Sequence, residues 1–251
     1  MSKINVIQKS DKRLQALSLV ILGGLLAANA QAASLDFNVA APTPAAGSII
    51  YDPATDPALI GSSIEVDTVA GLNTPNHDAV ISTCSSCLLS FNTGAFTGYD
   101  ASTKTWSFSG GGNISIIGGV DFPDLASPND IPAGTTLLTG SFDNAMVVQL
   151  SSGAFDFRIA GGAFTDHKDA QLLNYYGLPQ ASLYQGGFNL SFQANSLASN
   201  GFSSTSVVSG NILNTPVPLP SALLLFISAL CIFPLLKRFK SNSTRPLAFA
   251  C

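Results

Sequence analysis

The sequence predicts an all-β protein, a β-sandwich of jelly-roll type with one short helix, which lies between an N-terminal and a C-terminal targeting segment. The chain has 251 residues, of which only 10% are charged, and it contains 22 glycines. Apolar and polar side chains alternate in several short segments, and runs of two or three glycines separate those segments. Short half-buried strands with frequent turns are typical of a sandwich, and a closed barrel is the nearest alternative.

The clearest strands have an apolar residue at every second position. They cover residues 35–39, 106–108, 155–159 and 188–192. Weaker candidates cover residues 64–69, 79–83, 88–92, 113–117, 136–142, 145–150 and 206–212. Most of these segments have about five to seven residues, fewer than the nine to eleven that a membrane-spanning strand requires. The pattern therefore disfavours a sheet that crosses a membrane.

One helix is predicted over residues 168–176. Asp166 is the expected N-cap, Leu172 and Tyr176 have helical spacing, and Gly177 is expected to end the helix. We expect this helix to lie across one end of the sandwich.

Residues 1–32 are predicted to be a secretory signal peptide. Basic residues precede an apolar stretch at residues 14–26, and small residues at Ala30 and Ala32 follow it. This order of a basic start, an apolar middle and a small-x-small site is the signature of a cleaved signal, with cleavage expected after Ala32.

The segment 214–240 has the composition of a C-terminal membrane anchor. An apolar block occupies residues 221–236, and at about 1.5 Å per residue its 16 residues rise roughly 24 Å as a helix. That length is at the short end for spanning a bilayer. A proline-framed motif precedes the block and a basic cluster follows it: Val217, Pro218, Leu219, Pro220, then Lys237, Arg238 and Lys240. Residues 241–251 are expected to be a cytoplasmic tail, because basic flanks stay in the cytoplasm.

The part between the targeting segments, residues 33–213, is therefore expected to be an exported domain. Residues 33–216 contain 14 acidic residues and only three strong bases, Lys104, Arg158 and Lys168, which gives a net charge of −11. So acidic a body cannot neutralise a run of phosphates, which excludes nucleic acid as a partner and disfavours binding to anionic lipid. Divalent cations and neutral or basic polysaccharides remain as partners.

The pair Cys84 and Cys87 is the clearest candidate for covalent chemistry. A zinc site needs further ligands, and His77 is the nearest imidazole in the sequence. In an oxidising compartment two cysteines separated by two residues favour a short structural disulfide that closes a β-turn.

No catalytic residues are predicted, and calcium is the one candidate cofactor. Asp121, Asp124 and Asp130 lie in one turn-rich segment that offers the oxygen ligands calcium prefers, although their spacing matches no defined calcium loop. The neighbours Asp166 and His167 are expected to point in different directions, which disfavours a catalytic pair. Glu65 and Asp67 are expected to lie on a solvated strand face.

The C-terminal motif, apolar block and basic cluster together resemble the sorting domain of PEP-CTERM proteins, in a Val-Pro-Leu-Pro variant. The resemblance covers about the last 35 residues, and Leu219 stands where the commonest form of the motif has Glu. It implies that an exosortase-type membrane enzyme recognises Pro218 and Pro220 and processes the exported chain. It also implies a mature form at the cell surface or outside the cell, in association with exopolysaccharide or biofilm.

We therefore expect a non-enzymatic cell-surface or extracellular-matrix protein, which the inner membrane holds transiently before processing. The alternatives are a carbohydrate-binding module and a calcium-binding, adhesin-like domain. In the carbohydrate-binding alternative, Trp106, Tyr99 and Tyr175 or Tyr176 would stack on sugar rings. The alternation around Trp106 instead predicts that this ring is buried.

Overall fold

The computed structural model describes residues 32–39, 45–123, 130–150, 156–180 and 183–217, without the side chains of residues 156–164 and 206. Nearly all of the predicted signal peptide, the apolar C-terminal block and the tail lie outside these residues. The fold is therefore that of the predicted exported domain.

The described part of the chain contains eleven strands, one α-helix and one short 3₁₀ turn. The strands are β1 (Ser34–Val39), β2 (Ala45–Asp52), β3 (Asp56–Leu72), β4 (Ile81–Asp100), β5 (Thr105–Phe108), β6 (Gly111–Asp121), β7 (Ile131–Gln149), β8 (Asp156–Lys168), β9 (Tyr184–Gln193), β10 (Asn195–Ser196) and β11 (Phe202–Pro216). The helix α1 spans Ala170–Tyr176, and the 3₁₀ turn spans Ala198–Asn200. The expected strand length is wrong, since β3, β4 and β7 have 17, 20 and 19 residues.

All strands belong to one antiparallel sheet that closes on itself. β1 and β2 occupy the same position in the sheet, since each pairs with β3 on one side and with β11 on the other. β5 and β6 likewise share a position between β4 and β7. From β3 the order is β4, then β5 and β6, then β7, β8, β9 and β11. The all-β prediction is confirmed. The jelly-roll sandwich of two sheets is not observed, because all eleven described strands are joined by backbone pairing into one sheet.

The long strands bend at bulges, and the bends allow different parts of one strand to pair with different neighbouring strands. The pairing of β3 with β4 changes register at three points. The first part of β4 pairs with β6 and its last part pairs with β5. Bulges increase the local twist and bend a strand, which allows a sheet to curve until its edges meet.

The interior of the closed sheet is filled by the side chains that the alternation predicts to face inward. In β1 the exposed fractions of Leu35 and Phe37 are 0%, and Phe188 and Leu190 of β9 have the same value. Trp106 is 4% exposed, so its predicted burial is confirmed, and its Nε1 donates a hydrogen bond to the backbone oxygen of Asn200 at 2.8 Å.

One glycine of β3 is required by the packing of an aromatic ring. A Cβ atom at Gly61 would lie 2.1 Å from Cε1 of Phe91. The Phe91 ring in turn has its centroid 5.0 Å from that of Phe188 and 5.9 Å from that of Phe142. Edge-on contacts at these distances stabilise aromatic cores.

Helix α1 begins three residues later than its predicted cap implies. Its N-cap is Asp169, whose Oδ1 accepts hydrogen bonds from the backbone N–H of Gln171 at 2.8 Å and of Leu172 at 2.9 Å. The predicted cap, Asp166, instead lies inside β8 with 1% of its surface exposed. The end of the helix is as predicted, because Gly177 has a φ of 70°.

Both ends of the folded domain lie at the same end of the closed sheet, which we call the terminal end. Leu35 near the start of β1 pairs with Asn214 near the end of β11. The backbone N–H of Val217 donates to the oxygen of Leu183 at 2.9 Å, and Asn214 is fully buried. The last described strand therefore continues to Pro216, past the predicted boundary at residue 213.

Candidate functional site

A cleft of about 510 Å³ between β3 and β4 brings together the predicted cysteine pair and two carboxylates. Its lining includes Glu65, Asp67, Cys84 and Cys87, together with hydroxyl groups of neighbouring serines and threonines. Glu65 is exposed, as expected, whereas Asp67 is half-buried.

The two cysteines meet because β4 bulges between them. Side chains three residues apart on a regular strand point to opposite faces. Here the pairing of β4 with β6 changes register between Ser85 and Leu88, and Ser86 has a φ of 54°. As a result the side chain of Cys84 is hydrogen-bonded with that of Cys87.

The predicted disulfide is not observed, because Cys84 and Cys87 are free thiols. Cys87 is turned inward with 1% of its surface exposed, and its Sγ donates to the backbone oxygen of Gly119 at 3.1 Å. The hydrogen bond with Cys87, burial and the negative charge of Asp67 all raise the pKa of Cys84. A thiol held in its protonated form is a poor nucleophile and a poor metal ligand.

The predicted calcium segment is only partly described, since Asp124 lies outside the described residues. Asp121 ends β6, and Oδ2 of Asp130 accepts a hydrogen bond from the backbone N–H of Phe122 at 3.2 Å. The backbone oxygen of Asp130 accepts a second bond from Nε2 of Gln171 at 2.7 Å, which ties this segment to α1. Within the described ranges no three His, Cys, Asp or Glu residues are grouped so that they could hold a metal ion.

The two histidines lie apart from each other. The ring of His77 stacks on Tyr175 with centroids 4.0 Å apart, and its Nδ1 lies 2.7 Å from the backbone oxygen of Tyr175. Because that oxygen can only accept, Nδ1 is the atom that carries the hydrogen. His167 is exposed on β8, while its neighbour Asp166 is buried, as expected for adjacent residues of a strand.

The aromatic residues that sequence reasoning offered for sugar stacking are mostly buried. Tyr176 is fully buried and Tyr175 is 7% exposed, and the latter is packed between the rings of His77 and Phe122. Tyr99 is half-buried, with its centroid 4.6 Å from that of Trp106. These rings stabilise the core.

Sequence reasoning missed a buried ion pair at the terminal end of β8. The side chains of Asp166 and Lys168 are both completely buried, and Nζ of Lys168 contacts Oδ1 of Asp166. The same Nζ lies 4.3 Å from the ring centroid of Tyr184, and the hydroxyl of Tyr184 donates to the oxygen of Pro179 at 2.8 Å. The period-2 spacing of Asp166 and Lys168 is the signal of a strand here, but the helical pattern that follows predicts the N-cap at Asp166 and the helix from residue 168.

Burial dominates the electrostatics of this pair. It lowers the pKa of Lys168 to about 8, although Asp166 acts in the opposite direction. Burial raises the pKa of Asp166, an effect that Lys168 partly offsets. Burial, and then the charge of Asp166, raise the pKa of Tyr184 to about 12.

Of the predicted sorting residues, only Val217 is described, and it is 42% exposed. The remaining six lie outside the described residues: Pro218, Leu219, Pro220, Lys237, Arg238 and Lys240. Among the helices of the described ranges, none has the length and apolar character needed to cross a membrane.

Comparison of the chain with models of known protein families, with curated proteins and with solved structures found no match. The function must therefore be argued from the chain itself.

Proposed function

We propose that this is an exported, non-enzymatic protein of the cell surface or extracellular matrix, processed at a C-terminal sorting signal by an exosortase-type enzyme. The observation that supports the proposal most directly is where the described sheet begins and ends. Its first strand starts at Ser34, two residues after the expected signal cleavage at Ala32. Its last described strand ends at Pro216, directly before the first residue of the sorting motif, Val217.

Removal of residues 1–32 and of the chain beyond Pro218 would leave every described strand intact. β11 pairs with β9, β1 and β2, so its residues up to Pro216 are needed for the closed sheet. Processing at Pro218–Pro220 would cut beyond these hydrogen bonds. Processing upstream, within β11, would break the sheet.

The proposal also implies an orientation of the precursor relative to the membrane. Only three residues, Pro218 to Pro220, separate Val217 from the apolar block, and three residues span at most about 11 Å. The terminal end would therefore face the bilayer, and the opposite end, with the turn between Asp100 and Thr105, would face outward.

Two tags in the full chain test the proposal in its own host. One tag is inserted in the exposed turn at residues 101–103, and the other follows Cys251. We expect the first tag to be recovered outside the inner membrane without the second, with an intact mass that matches cleavage near Ala32 and near Pro218–Pro220.

A matched pair of variants distinguishes loss of the sorting motif from a general effect of removing a proline. Pro218→Ala with Pro220→Ala should keep both tags together in the membrane fraction, whereas Pro216→Ala, in the last position of β11, should be processed normally. If the wild-type chain keeps both tags in a full-length membrane protein, the proposal is wrong.

A further inference from the structure

The outer face of β1, β11 and β9 carries a row of asparagines. Asn38 pairs with Asn211, and Asn211 pairs with Asn189, so the three residues stand side by side on adjacent strands. The residues that flank them in sequence, such as Phe37 and Phe188, are buried, which directs the asparagines outward.

These residues line a shallow cleft of about 320 Å³, which we call the asparagine strip. Its lining consists of Asn38, Asn189, Ser191, Ser209, Gly210 and Asn211, and none of these side chains carries a formal charge. Oδ1 of Asp36 accepts a hydrogen bond from Nδ2 of Asn211 at 3.3 Å, which orients the central amide.

We propose that the asparagine strip binds a neutral polysaccharide, an inference that rests on the proposed function because it names the matrix partner of the exported protein. The amides of Asn38 and Asn189 each carry two donors and one acceptor oxygen, and that of Asn211 keeps one donor and its oxygen beside the bond to Asp36. This set complements sugar hydroxyls, which both donate and accept. Adjacent strands are about 4.8 Å apart, so the outer two asparagines lie about 10 Å apart. The row can therefore contact successive units of an extended sugar chain.

The negative net charge of the domain favours neutral polymers over polyanions. With 14 acidic and three basic residues between positions 33 and 216, the domain repels polyanions. Hydrogen bonds between uncharged groups carry no such penalty. Because the strip has no aromatic ring in its lining, each contact is weak, and repeated contacts along a polymer provide the retention.

The test is a binding isotherm of the full chain, solubilised in a zwitterionic detergent without a sugar head group, on insoluble cellulose, curdlan and cross-linked dextran. We expect retention on at least one of these neutral glucans, with less than a twofold change when the salt concentration is raised, because screening acts on charges.

Substitutions in the strip locate the site. A single Asn189→Thr removes one or two neutral hydrogen bonds while keeping a residue that favours strands, and should weaken binding about 2- to 10-fold. The triple variant with Asn38→Thr, Asn189→Thr and Asn211→Thr should weaken it by more than about tenfold. The matched control is Asn113→Thr, an exposed asparagine of β6 on the opposite side of the closed sheet, which should bind like the wild type.

Retention on none of the three glucans overturns the inference, as does binding that survives the triple variant or is lost equally in Asn113→Thr. If the triple variant melts at a lower temperature than the wild type, the single variant decides. The outcome is independent of processing. A chain that is cleaved and exported in its host but binds no glucan refutes only the strip. A chain that binds a glucan in this assay but keeps both tags in its host refutes only the proposed function.

Discussion

The buried pair of Asp166 and Lys168 makes a sharp prediction about stability. Both side chains are completely buried, and Oδ2 of Asp166 has no hydrogen-bond partner among the described residues. Lys168→Met keeps most of the side-chain volume but leaves the carboxylate without its cation. Removal of one partner from a buried ion pair costs about 3–5 kcal/mol.

The double variant should recover most of this loss. With Asp166→Leu and Lys168→Met together, no buried charge remains, and replacement of a buried pair by apolar residues is often neutral or stabilising by about 1–4 kcal/mol. Unfolding by urea at pH 7, followed by circular dichroism, measures each free energy of unfolding. Lys104→Met, in the turn between β4 and β5, is the control and should lie within about 0.5 kcal/mol of wild type. If Lys168→Met alone were as mild as Lys104→Met, the pair would not be buried as described.

The same pair predicts how stability depends on alkaline pH. The pKa of Lys168 is about 8 in the folded state and 10.5 in the reference state, so between these values the unfolded chain binds the extra proton and the contribution of Lys168 to stability rises with pH. The shift corresponds to roughly 3 kcal/mol at most. The pKa of Tyr184 is raised to about 12, so stability falls as pH rises from about 10 to 12. The pKa of the Cys84 thiol is also raised, which lowers stability as pH rises through the ordinary range of a thiol. Lys168→Met should keep both falls, so the stability of the wild type relative to Lys168→Met should rise between pH 8 and 10.5. A difference that stays constant or falls over this range would contradict the assignment.

Two further predictions concern the sheet and the cleft. In Gly61→Ala the new methyl group would overlap the ring of Phe91, and the change should destabilise the fold by about 1–3 kcal/mol. Gly98→Ala is the control, because no atom lies within 4 Å of its new Cβ, and its stability should change little. Both are read from thermal melts, and equal effects would refute the packing argument. The hydrogen bond with Cys87 and burial are the larger causes of the raised pKa of Cys84, and the charge of Asp67 adds a smaller one. Asp67→Asn should therefore speed alkylation of Cys84 by iodoacetamide near pH 8 by a small factor. Glu65→Gln, which lines the same cleft, should leave the rate unchanged, and a rate that responds to both changes or to neither would contradict this cause.

Local sequence pattern was sufficient to predict the burial or conformation of a residue wherever these depend on its immediate neighbours. The alternation in β1 and β9 predicted the inward residues, and the same pattern predicted the burial of Trp106. Gly177 ends the helix as predicted, because the left-handed backbone that it adopts is a local requirement. The strongly acidic composition likewise follows from counting residues alone.

Long-range pairing decided the rest. The bulge between Cys84 and Cys87 arises where β4 changes register against β6, and nothing in the short segment itself shows that one thiol turns inward. By residue type Asp166 suits a helix cap better than a strand. Asp166 is buried because β8 continues to pair with β7 and β9 at this position. The N-cap of the helix is therefore Asp169.

The sequence by itself determined that this is an acidic, strand-rich chain with apolar segments near both ends, because charge, period and hydropathy are properties of neighbouring residues. Only the tertiary structure decided that the strands close into a single sheet with both ends of the domain together. It also decided that asparagines from three distant segments stand in one row. These features depend on which strands pair and in what register, and register is a contact between residues as far apart in sequence as Asn38 and Asn211.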